Sequence, residues 1–105
     1  MHSKNIKQTI LDETEEMWGL VCPLCKQGYV TTLHHIIPRS RTSKKHEAWW
    51  LWDKRNLLLI CVPCDTAMLH TRQGIIRCIA IQKARHPNWD YSVAPWQEYN
   101  HVETP

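Results

Sequence analysis

No apolar run in this chain is long enough to cross a bilayer as a helix, so a membrane-spanning helix is excluded. An apolar leader is missing as well. Residues 1–8 are polar and run into an acidic segment, so the expected setting is cytoplasmic and reducing, with no membrane partner. Charge of one sign is scarce: 13 Lys and Arg against 10 Asp and Glu leave a formal +3, too little to establish a nucleic-acid partner by itself. Internal repeats and low-complexity stretches are absent, which leaves one compact unit of 105 residues. A domain of that size has a marginal core, and a structural metal is a common remedy.

Cysteine and histidine are present in an ordered pattern. Two Cys-x-x-Cys pairs, Cys22–Cys25 and Cys61–Cys64, bracket His34–His35, with Asp65 and His70 just behind the second pair. Four thiolates suit a closed, tetrahedral structural zinc site. The gap of 35 residues between Cys25 and Cys61 then hangs a whole functional insert between two knuckles of one site. Two unrelated pairs of buried thiols would need two matched spacings by coincidence. A redox Cys-x-x-Cys is a poorer reading, because no βαβ context accompanies either copy. The His/His/Asp/His group has no sulfur and suits a harder cation that keeps room for water or phosphate. One metal would hold the fold and the other would do chemistry. Cys78, in an apolar setting, is expected to be a buried thiol.

The pattern predicts an α+β chain. Ile6, Ile10, Leu11, Met17 and Trp18 trace a helical stripe over 5–18, closed by Gly19, with the acidic run 12–16 as its solvated face. Cys22 to Gly28 reads as a tight knuckle whose amides point at the thiolates. Residues 29–33 read as a strand delivering His34 and His35, and 57–60 as a second strand. Residues 65–72 read as a helix punctuated by Gly74, and 75–85 as another carrying Ile75, Ile76, Ile79 and Ala80 on one side. The aromatic tail after Pro87 is expected to drape irregularly over the body.

Taken in order, knuckle, His34-His35-x-x-Pro38, Asn56-Leu57, knuckle and a metal-binding helix, the stretch 22–70 resembles the HNH endonucleases, the zinc-containing Cys-x-x-Cys branch of the ββα-metal (His-Me finger) nucleases. The resemblance covers about half of the chain. It implies a single HNH nuclease domain over 1–105, with motif core 22–70, N-terminal helix 5–18, and C-terminal helix and tail 75–105. It also implies metal-dependent hydrolysis of DNA phosphodiester bonds, leaving 5′-phosphate and 3′-hydroxyl ends. His35 matches the general base, His34 a metal ligand, and Asn56 the residue that holds the loop and orients His35. The catalytic metal implied by the resemblance is a divalent ion such as Mg²⁺, Mn²⁺ or Ni²⁺. The family usually places His or Asn where Asp65 stands, and often another His at the place of Leu69, one residue before His70.

Histidine alone proves little, and His2, His46, His86 and His101 are read as ordinary surface or core residues. Successive strand residues face opposite ways, so His34 and His35 are expected to have different jobs. Residues 39–55 are basic. Arg39 and Arg41 are placed to clamp phosphates, and Lys44, Lys45, Lys54 and Arg55 are read as further backbone contacts rather than a merely solvated face. Trp49, Trp50 and Trp52 read as packing or a hydrophobic lid rather than a base-stacking platform. The rival from another class is a non-catalytic zinc-knuckle module that binds nucleic acid, but it has no need of His34, His35 and Asn56 in register. A protein-interaction module built on the tryptophans has nothing specific behind it. Free-standing proteins of this kind resemble phage packaging, homing and restriction components, so a larger nuclease or packaging assembly is a further partner expectation.

Overall fold

The computed structural model describes residues 2–38, 49–68 and 70–100, with the side chains of 2–5 and 68 left out. Among the described residues the chain forms helix α1 (His2–Met17), strand β1 (Thr32–His35), strand β2 (Leu57–Ile60), helix α2 (Val62–Met68) and helix α3 (Arg72–Arg85). Short 3-10 turns cover Trp49–Trp52, Lys54–Asn56 and Trp96–Tyr99. This is a small α+β fold around a two-stranded antiparallel sheet. No helix is long and apolar enough to cross a membrane among the described residues.

All four residues of β2 are buried, as expected of an apolar strand covered on both faces. Its register pairs Thr32 with Ile60, Leu33 with Leu59, His34 with Leu58 and His35 with Leu57. Ile36 and Ile37 continue the core beyond the sheet, and Ile75, Cys78 and Ile79 of α3 join it.

Several boundaries differ from those the sequence suggests, among them α1, which runs His2–Met17 rather than 5–18. The first strand runs 32–35 rather than 29–33, because Tyr29 is held in an isolated bridge to Val21 inside the knuckle hairpin. The helix expected over 65–72 instead occupies Val62–Met68, and a new helix starts at Arg72. Thr71 caps that start: its hydroxyl accepts from the Gly74 amide, so Gly74 lies in a first turn and does not end a helix. On α3 the buried stripe is Gly74, Ile75, Cys78, Ile79 and Gln82, while Ala80 is exposed.

Helix α1 lays Ile10, Leu11 and the buried Thr14 towards the core, but Met17 and Trp18 stay outside the stripe and are exposed. Gly19, at φ 81°, ends the helix in the left-handed conformation that glycine adopts without strain. The tail is less peripheral than its irregular sequence implies. Tyr91, Trp96 and Tyr99 are buried and belong to the core. Cys78 is fully buried, and burial pushes its thiol up to about 12.

Candidate metal centre and histidine site

The four cysteines come together. Their sulfur atoms all lie within 4.8 Å of one another, although the two pairs are far apart in sequence. Thiolates 2.3 Å from a tetrahedral zinc would be spaced about 3.8 Å apart. The Sγ atoms of Cys25 and Cys61 are 3.7 Å apart, far beyond a disulfide bond, and all five cysteines are free. The donor set and its spacing therefore fit a four-cysteine metal site.

Local chain geometry explains the first knuckle. The amides of Gln27 and Gly28 donate to Cys25 Sγ at 3.5 and 3.4 Å, with Lys26 turned to φ 64° to bring them round. Those donors, Gly28 first, pull the Cys25 thiol down to about 6. Burial and the three neighbouring sulfurs push Cys64 up to about 12. The first thiols to ionise are helped by their neighbours and the last are opposed, and a bound dication would reverse that later penalty. Gly28 leaves little room for a side chain: a Cβ there would sit 3.0 Å from the Cys61 Cβ and 3.2 Å from its sulfur. Arg77 of α3 ties the knuckle to the body by donating to the Leu24 carbonyl at 2.8 Å.

On β1 the two histidines meet different partners. His34 is 3% exposed, and its Nδ1 donates to Asp65 Oδ1 of α2 at 2.8 Å. Burial lowers its pKa, outweighing the pull of Asp65 in the other direction. His35 makes a T-shaped contact with Trp52, with ring centroids 4.6 Å apart and planes at 83°, and its buried Nε2 has no hydrogen-bond partner among the described residues. Burial, then the charges of His34 and His70, hold His35 below the ordinary histidine range, so its ring is neutral at pH 7.

His70 occupies a left-handed turn, φ 55°, between α2 and α3. That turn brings its ring flat against His34, with centroids 4.9 Å apart and planes 9° from parallel. Its Nε2 lies 2.8 Å from the His35 carbonyl. A carbonyl only accepts, so this nitrogen carries the proton and is not offered to a metal in this arrangement. Among the described residues the cysteines form a convergent ligand group, whereas His34, Asp65 and His70 do not form a second one.

Asn56 is fully buried at the entry to β2. Its Oδ1 accepts from the Ile37 amide and its Nδ2 donates to the Ile37 carbonyl, both at 3.0 Å, so it clamps the chain two residues beyond His35. Among the expected phosphate contacts, Arg39, Arg41, Lys44 and Lys45 lie outside the described residues. Arg55 is engaged internally: Asp53 takes its Nε and Nη2, and the Asp90 carbonyl takes its Nη1. Lys54 lies over the Trp89 ring, 5.3 Å from its centroid. Of the tryptophans, Trp50 is buried as packing, Trp49 is exposed, and Trp52 flanks His35. His86 stacks on Trp89, as an ordinary packed histidine does.

Spacing alone could not reveal the His70 carbonyl contact, which depends on one left-handed residue. Gly28 is legible in the sequence only as part of a knuckle, and the steric demand of Cys61 on it appears only in three dimensions. Searches against protein-family profiles, curated proteins and solved structures each returned no match for this chain.

Proposed function

We propose that this protein is a metal-dependent DNA endonuclease of the ββα-metal kind, folded around one structural zinc. The observation that carries the reading is the meeting of His34 and Asp65 at 2.8 Å, with His35 beside them on the same strand. Two ligands at right angles around a Mg²⁺-sized ion sit about 3 Å apart, so a dication could take the place of the proton that His34 Nδ1 now donates to Asp65, with that proton released on binding. The order β1, β2, α2 agrees with the motif order, with both histidines on the first strand, Asn56 at the entry to the second and Asp65 on the helix.

In this reading Cys22, Cys25, Cys61 and Cys64 hold zinc, and His34 and Asp65 hold Mg²⁺, Mn²⁺ or Ni²⁺. Held there, such an ion would supply charge stabilisation at the phosphate being cleaved and at the departing 3′ oxygen. His35, neutral because it is buried, takes the proton of the attacking water at Nε2. His70 holds the His35 carbonyl, and Asn56 holds the following two residues, so the imidazole is presented in one orientation. The basic segment 39–55 supplies contacts to the DNA backbone, with Arg39, Arg41, Lys44 and Lys45 as its principal cations.

The test is relaxation of a supercoiled plasmid with Mg²⁺, Mn²⁺ or Ni²⁺, with EDTA, and with a His35→Ala protein of unchanged zinc content. Metal-dependent nicking or linearisation that His35→Ala lacks is the expected result. Binding of DNA without cleavage under every metal would favour the non-catalytic zinc-knuckle module instead.

A further inference from the structure

The turn carrying Asn56 is capped from within the motif by Asp53 and is also held from outside it. Gln82 of α3 donates its Nε2 to the Leu57 carbonyl at 2.9 Å and to the Lys54 carbonyl at 3.4 Å. The Tyr91 hydroxyl donates to the Arg55 carbonyl at 2.7 Å. Trp96 Nε1 donates to Asn56 Oδ1 at 3.3 Å. Acceptors on four consecutive residues, 54–57, are thus taken by three side chains from the C-terminal third. Trp96 is fully buried, with the Arg55 guanidinium 4.4 Å above its ring, so the indole has little freedom to turn away.

We infer that Trp96 is a positioning residue for His35, acting through the side-chain amide of Asn56. An asparagine amide can be placed either way round, and only its partners decide which. Here the oxygen faces two N–H donors, from Ile37 and Trp96, and the nitrogen faces two carbonyls, of Ile37 and Leu51. Turning the amide over would set N–H against N–H and oxygen against oxygen in a buried place, which is costly. Trp96 supplies one of the two donors that forbid the turn. The Asn56 backbone carbonyl also accepts from Ile36 at 2.8 Å, so Asn56 holds both residues that follow His35. A loosened amide would therefore be felt at the imidazole, although Trp96 itself touches neither DNA nor metal in this scheme. The role in catalysis rests on the reading of His35 as the base.

The experiment uses the full chain with zinc bound, as Trp96→Phe, Asn56→Ala and the double variant. Phenylalanine keeps an aromatic ring and removes only the donor and part of the indole. Amide hydrogen exchange at Ile37, read against the amides of β2, should accelerate roughly fivefold in Trp96→Phe, the size of one missing hydrogen bond. It should show no further change when Trp96→Phe is added to Asn56→Ala, because the effect passes through that residue. For cleavage, kcat should fall by a similar factor with KM unchanged, again only where Asn56 is present. As a reciprocal measurement that does not need Trp96→Phe to fold, Asn56→Ala should expose the Trp96 indole N–H to exchange and leave the other indoles alone. Exchange at Ile37 rising only in step with β2, multiplicative effects of the two substitutions, or an indole N–H that Asn56→Ala leaves protected would each overturn the inference. A parent protein without nuclease activity would refute the catalytic reading alone, since the exchange measurements still decide whether Trp96 holds the turn.

Discussion

At the residue scale, the different partners of His34 and His35 are legible from sequence, since adjacent strand residues face opposite ways. On the proposed reading of His35 as the general base, replacing it by alanine should lower cleavage by about 10²–10⁴-fold, the usual range for removal of such a group, with metal content and fold retained. Its titration has a definite sign. Burial depresses the His35 pKa, so the neutral form is the major one above about 6.5, the value for a free histidine, and persists below it. The acid limb of kcat/KM should therefore have its midpoint under pH 6.5, and a midpoint above that would contradict the buried environment. The same shift makes His35 a source of acid instability. The unfolded chain binds the proton first as pH falls through about 6.5, so this contribution to stability is whole above that pH and is lost below it. Thermal melts at pH 7.5 and 5.5 should differ less for His35→Gln than for the parent. His70 is harder to place from sequence. An offset of five residues from Asp65 suggests a ligand turned away on a helix, whereas a left-handed turn returns the ring to His34 by another route.

At the element scale, periodicity locates α1, β2 and α3 because each buries a regular set of apolar residues. The break between α2 and α3 is not visible in it. Gly74 resembles an ending, and only the Thr71 hydroxyl on its amide shows that it belongs to a beginning. The tail hides its role for a related reason: Tyr91, Trp96 and Tyr99 follow no helical or strand period, yet all three are buried. The knuckle is the element most sensitive to a small change. Gly28→Ala places a methyl 3.0 Å from the Cβ of Cys61, one of the four clustered cysteines. Zinc affinity measured by competition with a chromogenic chelator should drop by tenfold or more, since disturbing the support of a metal ligand typically costs roughly 10–100-fold. Unchanged affinity would show that the two knuckles can separate without penalty.

At the scale of the whole molecule, metal and cations act over different ranges. Removing zinc with a strong chelator should abolish the cooperative melt, because binding energy on the order of 10 kcal/mol is folding energy in such sites. Serine at any one of Cys22, Cys25, Cys61 or Cys64 should do the same, and unchanged circular dichroism would refute the site. For DNA, the internal bonds of Arg55 separate it from its neighbours in the basic segment. If the chain binds DNA as proposed, neutralising Arg39, Arg41, Lys44 and Lys45 should flatten the slope of log affinity against log salt by about 0.9 for each phosphate no longer neutralised, equally on two unrelated duplexes. Arg55→Gln should instead lower the melting temperature with little change in that slope. The sulfurs of Cys25 and Cys61 also bear on how the chain reaches its fold. They meet at 3.7 Å across 36 positions, and Cys61 directly follows Ile60, whose cross-strand partner is Thr32. Closing a loop of that length costs about 3 kcal/mol in chain entropy before any strand pairing forms. Two four-residue strands alone give little in return for that cost, so the ion would close the loop and hand the strands their register. Refolding would then speed up with free zinc concentration until packing becomes the slower step, and the lifetime of the unfolded chain would follow the supply of metal.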